Sequence, residues 1–157
     1  MRCVTAAWIS AINLFGQSLN VPPSRTDIKT PGAFSVTVDS PRGKEPVALQ
    51  WDFSVPPAIA IRTVDITIGK AAESARKSLT CAAQATKPAM QRRMKYTCVL
   101  AGGQDAISNG PIAVVQYRAQ WDVKGAPIRV AIENILGASA DLKRIPIPSA
   151  DAIIDIW

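Results

Sequence analysis

Two cysteines in matching contexts are the residues best placed for covalent chemistry. Leu79-Thr80-Cys81 ends one run of β character, and Tyr96-Thr97-Cys98-Val99-Leu100 forms the next. Neighbouring antiparallel strands would bring these thiols face to face, and a bridge closing a loop of under about twenty residues adds roughly 3 kcal/mol by restricting the unfolded chain. Such a bridge also implies an oxidising compartment, and so a secreted or cell-surface protein. The alternative is two small buried thiols that pack as hydrophobes. Cys3 lies apart. Two cysteines without a histidine or a further pair cannot close a tetrahedral zinc site, and no metal or other cofactor is expected.

Histidine is absent from all 157 residues. That removes the usual general base at neutral pH, the Ser-His and Cys-His nucleophile pairs, and imidazole metal sites. Paired carboxylates would suffice for glycoside hydrolysis, but the acids stand mostly alone. Asp52 and Asp122 each follow a tryptophan, which names no site. Asp105, Ser108 and Asn109 gather oxygens beside a glycine turn. Their spacing matches no calcium loop, and the same residue types cap turns without an ion, so calcium binding stays open. The chain reads as non-catalytic.

A net charge of +6 and a pI near 9.6 raise the question of nucleic acid. The densest basic cluster is Arg92, Arg93 and Lys95, with Lys87 nearby and Arg76-Lys77 a strand away. It lacks aromatics to stack on bases and reads as a solvated loop, so no nucleic-acid partner is expected. Met1-Arg2 and the mostly apolar run from Cys3 to Phe15, followed by Gly16-Gln17-Ser18, fit either a signal peptide or an amphipathic helix carrying Trp8, Ile12 and Phe15. That run is too short to span a bilayer.

The elements that position these groups are strands. Length and a 48% hydrophobic content suit one core. Val47, Leu49, Trp51, Phe53 and Val55 alternate with Ala48, Gln50, Asp52 and Ser54, which puts the apolar set on one face of a strand. Phe34, Val36 and Val38 alternate before it, and Pro56-Pro57 stops it. Ile59 and Ile61 slip phase against Val64, Ile66 and Ile68, which predicts a bulge near Thr63. Gly69 to Ala75 suits a loop or one helical turn. Strands follow at Lys77 to Ala83, Lys95 to Ala101, Ile112 to Trp121, Ile128 to Ile135 (Ile128, Val130 and Ile132 inward), Ile145 to Ile147 and Ile153 to Trp157. About nine strands with little helix predict an all-β, two-sheet antiparallel β-sandwich over residues 33–157. Residues 1–32 read as an N-terminal segment and linker outside it.

Several of these runs resemble cohesin-like domains of bacterial secreted proteins. They are Phe34-Ser-Val-Thr-Val, Val47-Ala-Leu-Gln-Trp-Asp-Phe-Ser-Val-Pro-Pro, Ser78-Leu-Thr-Cys81, Tyr96-Thr-Cys98, Ile107-Ser-Asn-Gly110-Pro-Ile-Ala-Val-Val and Leu136-Gly-Ala-Ser-Ala-Asp141. The likeness runs from about Ala33 to Trp157. It implies a nine-stranded jelly roll that binds a protein partner, as cellulosomal cohesins bind dockerin helices, through the outer face of one sheet. Carried to this chain, it puts Val64 to Ile68, Lys77 to Ala83, Lys95 to Ala101 and Ile128 to Glu133 in one sheet. Asp65, Thr67, Thr80, Thr97, Arg129 and Glu133 would then point outward. The fold is also related to carbohydrate-binding modules, so the second expectation is a polysaccharide partner stacked on Tyr117 and Trp121. A plain spacer in a larger surface protein is the third.

Overall fold

The alternating run after Pro46 forms β4 (Ala48–Val55), and every member of its apolar set from Val47 to Val55 is buried. A computed structural model carries this chain and describes residues 16–27, 29–84, 93–120, 125 and 127–156. β4 lies in the middle of a seven-stranded sheet. Its antiparallel neighbours are β8 (Met94–Ala101), with Trp51 opposite Cys98, and β10 (Pro127–Ala138), with Phe53 opposite Ile132. Outside β8 lies β7 (Ser78–Ala83). Outside β10 lie β12 (Ala150–Ile156), β11 (Arg144–Pro146), and β2 (Ser24–Thr26), which pairs parallel with β12.

The facing sheet has five strands built around β9 (Gly110–Ala119). One edge of β9 holds β3 (Gly32–Asp39), which continues to β1 (Ser18–Asn20). The other edge is shared end to end by β5 (Ile59–Ala60) and β6 (Ile66–Ile68). Side chains from both inner faces meet in one core. Phe34 of β3 packs edge-on against Phe53 of β4 at 6.0 Å between ring centroids, and Phe53 stacks on Tyr96 of β8 at 4.9 Å. Aromatic pairs at such separations add about 0.5–1.5 kcal/mol beyond their buried area. The two-sheet jelly-roll sandwich is thus the observed fold. The described residues hold twelve strand segments, more than the expected nine, and the ones with no counterpart in the expected set are β1 and β2, upstream of Gly32.

Three local expectations are corrected, and the Gly69 to Ala75 segment takes one of the two forms expected of it. The phase slip near Thr63 is a 3-10 turn (Thr63–Asp65) rather than a bulge. Arg62 binds the Asp65 carboxylate through its backbone N–H and guanidinium, which turns the chain and leaves Val64 72% exposed. β6 then pairs with β9 and not with the cysteine strands, because the turn carries the chain to the facing sheet. The Gly69 to Ala75 segment is a single-turn helix, α1 (Lys70–Ser74). β1 and β2 lie upstream of residue 33, where the sequence placed the start of the domain. Leu19 is buried in the core although its strand is too short to show a period. The signal-peptide and helix readings concern residues 1–15, outside the described residues.

Candidate functional site

The wet phase of β4 consists of Gln50, Asp52 and Ser54, and the ladder fixes what flanks each. Gln50 stands between Val99 of β8 and Leu136 of β10, Asp52 between Thr97 and Glu133, and Ser54 between Lys95 and Ala131. Thr80 and Ala82 of β7 continue the rows past Val99 and Thr97, while Asp151 and Ile153 of β12 continue them past Ala131 and Arg129. These positions form the outer face of the seven-stranded sheet.

One half of that face is a closed polar network around Asp52, only 6% exposed despite standing on the wet side. Thr97 Oγ1 donates to Asp52 Oδ1 at 2.6 Å, Asn134 Nδ2 donates to Oδ2 at 2.7 Å, and Lys95 Nζ lies 3.3 Å from Oδ2. Gln84 Nε2 donates to Thr97 Oγ1 at 2.7 Å, and Lys95 Nζ also stands 3.7 Å from Glu133 Oε2. Asn134 reaches Asp52 because β10 carries an extra residue between Glu133 and Leu136, with Asn134 left-handed at φ 51°. Asparagine tolerates that conformation better than most residues, so the bulge re-aims a side chain cheaply. Arg93 closes the adjoining end, donating from Nε to Ser54 Oγ at 3.0 Å and from Nη2 to the Ser54 and Arg129 carbonyls at 2.8 and 2.5 Å. Arg129 in turn pairs with Asp151.

Burial pushes the Asp52 carboxyl up, but the hydrogen bonds from Asn134, Thr97 and Lys95 and the Lys95 charge outweigh it, leaving it below the ordinary value. A general acid needs the opposite displacement, so Asp52 is a fixed, saturated anion that orders the face. Its folded value is depressed, so its stabilising share is complete above the usual carboxylate range and is lost as pH falls through the folded value. Asp52→Asn is expected to cost about 1–3 kcal/mol at neutral pH, since Lys95 and Glu133 lose their arrangement. The difference from the parent protein should shrink on acidification towards pH 3, measured by urea unfolding at stepped pH. A constant difference would show that the carboxylate does not titrate with folding.

The other half of the face carries two exposed apolar side chains in a row shared with Thr80 and Gln50. Val99 is 40% exposed and Leu136 37%, on either side of Gln50, with the small residues Ala48 and Ala82 in neighbouring rows.

Four of the six residues expected on one outward face do share it: Thr80, Thr97, Arg129 and Glu133. Asp65 and Thr67 do not. Asp65 sits in the 3-10 turn, where hydrogen bonds from Arg62 hold its carboxyl at about 2, and Thr67 Oγ1 donates to the Val114 carbonyl on β9. Arg93 and Lys95 are not a solvated loop but are laid onto the face by Ser54 and Asp52. Arg92 and Lys87 lie outside the described residues. Cys81 and Cys98 form the expected disulfide, joining β7 to β8 on the inner side. Tyr117 offers no ring to a sugar, because it is 2% exposed and packs against Phe34, with Gly32 leaving room for its phenol. Trp121 lies outside the described residues. Asn109 is occupied by Ser40 and Asp39, and Asp105 faces Arg76 at 3.9 Å.

Sequence reading missed Asp52, Asn134, Val99 and Leu136. Asp52 and Val99 were legible as outward alternates on β4 and β8. Leu136 was not, since the bulge at Asn134 inverts the phase of β10 beyond it.

No family model matches the sequence, and no curated protein does. Solved structures do match. A non-cellulosomal cohesin from the hyperthermophilic archaeon Archaeoglobus fulgidus aligns at TM-score 0.66 and 10% identity, over 90% of this chain and 91% of the other. The sixth cohesin of Acetivibrio cellulolyticus scaffoldin B, solved in complex with a dockerin, aligns at 0.71 and 9% identity, over 90% and 99%. A type I cohesin of Clostridium thermocellum, also solved with a dockerin, aligns at 0.70 and 12% identity, over 90% and 99%. The chain has the cohesin fold.

Proposed function

We propose that this protein is a non-catalytic protein-binding module that receives its partner on the outer face of β7, β8, β4 and β10. The observation that carries the reading is the Val99 and Leu136 pair, large apolar side chains left in solvent on either side of Gln50, next to a row in which Asp52, Thr97, Lys95, Asn134 and Glu133 are paired with one another. An apolar centre bounded by an ordered polar surround is the usual anatomy of a protein-docking patch. The fold adds support, since two of the similar structures hold dockerins. The Cys81–Cys98 bridge supports an extracellular or cell-surface setting. Among the described residues the face presents no aromatic ring for a sugar to stack on.

The test is titration of the protein with dockerin modules and with proteins recovered from its native secretome, followed by the same titration with Val99→Lys/Leu136→Lys. Both side chains are exposed, so the fold should survive, whereas buried lysines at the centre of an interface should weaken binding by about thirtyfold or more. Unchanged affinity in the double variant would move the partner off this face.

A further inference from the structure

Strand β7 is the outer edge of the seven-stranded sheet, and among the described residues it pairs with β8 alone. Antiparallel ladders alternate close, non-hydrogen-bonded pairs with wider, hydrogen-bonded ones. Cys81 and Cys98 are a close pair, with Cα atoms 4.1 Å apart, while the Gln84 N–H donates to the Lys95 carbonyl at 2.9 Å. The even-numbered residues Ser78, Thr80, Ala82 and Gln84 therefore turn their N–H and C=O groups to β8. Leu79, Cys81 and Ala83 turn theirs to the free edge.

Natural edges are normally guarded by a charge, a proline, a bulge or extreme shortness. At the opposite edge of this sheet β2 is three residues long and carries Arg25, and β1 on the facing sheet is equally short. β7 has six residues in unbroken register, with no charge and no proline. The nearest charged residue upstream, Lys77, is turned inward, its ammonium bound to the Gly102 and Gly103 carbonyls at 2.6 and 3.1 Å. The disulfide pins the strand to β8, so it cannot peel away.

We propose that β7 is a pairing edge that takes a second copy of this chain, strand against strand, antiparallel about a two-fold axis at Cys81. That register sets Leu79 of each copy opposite Ala83 of the other and exchanges six backbone hydrogen bonds, two for each of three residue pairs. A two-fold axis brings like groups together, so a charged edge would repel itself, and β7 carries no charge to do so. This pairing uses the strand edge and leaves the Val99 and Leu136 face open, so the two readings stand or fall separately.

The experiment is sedimentation velocity with rising protein concentration, up to about 1 mM to capture a weak association, combined with amide exchange by NMR. The dimer fraction should rise with concentration, and the amides of Leu79, Cys81 and Ala83 should become protected in parallel, while those of Thr80, Ala82 and Gln84 stay protected throughout. Ala83→Pro deletes an outward N–H without removing a bond to β8, and should weaken dimerisation at least tenfold. Ala82→Lys sets two ammonium groups diagonally across the axis and should do the same if the proline disturbs the fold. A protein that stays monomeric throughout the range overturns the proposal. So does a dimer that both variants retain, or one in which the three outward amides still exchange freely. Protection appearing only when a different protein is added also overturns it, in favour of a heterologous strand.

Discussion

Alanine at Trp51 is expected to lower the unfolding free energy by about 3–5 kcal/mol. The indole is fully buried in the central strand, beside Cys98 and across the sandwich from β3 and β9. Both sheets hold their positions through many other contacts, so the structure can only partly collapse into the void. A second substitution separates packing from polarity. The Trp51 Nε1–H is buried without a hydrogen-bond partner among the described residues, a burden of about 1–3 kcal/mol in the folded state. Trp51→Phe removes that donor and leaves a much smaller void worth roughly 1 kcal/mol, so the two effects nearly cancel. Denaturant midpoints at unchanged slope measure both. A Phe variant as unstable as the Ala variant would mean that the indole finds a partner and that packing alone does not explain its place.

Replacing both Cys81 and Cys98 by alanine should lower stability by about 3 kcal/mol, the value expected for freeing a loop of this length in the unfolded chain. The bridge spans 17 residues of sequence and fastens an edge strand that otherwise holds by one ladder. The loss should appear in the guanidinium midpoint and again when the parent protein is reduced. Because Cys98 lies opposite Trp51, combining the double Cys→Ala change with Trp51→Ala should be non-additive, while combining it with a core change three strands away from β8, such as Ile154→Ala on β12, should be additive. A stability unchanged by reduction would show that β7 holds without the bridge. The same variant bears on the face proposed for docking, since Thr80, Ala82 and Gln84 keep their place beside Val99 and Thr97 through this strand.

How much of this was legible depends on the range of the interaction. The dry side of β4, the core strands β3, β8 and β10, and the pairing of the two cysteines follow from residue alternation and matching context, which are local. The candidate site was legible only in pieces. Thr80, Thr97, Arg129 and Glu133 have the right phase on the right strands, but their weight in the face differs from expectation. Thr97 is spent on Asp52 and Gln84, and Arg129 is paired with Asp151. Arg93 and Lys95 looked like loop charges because nothing near them in sequence binds them. Their partners Ser54, Asp52 and Glu133 are 38 or more residues away.

By itself, the sequence determined that this chain is extended, which face of each long strand is dry, and that histidine-based chemistry is absent, because period and composition are properties of the residues in order. The tertiary structure decided which strands became neighbours, that a 3-10 turn sends β6 to the other sheet, and that one extra residue at Asn134 brings an amide onto Asp52 and turns Leu136 outward. Those outcomes rest on ladder register and on polar contacts between distant strands, whose free energy exists only once the two sheets have closed over the core.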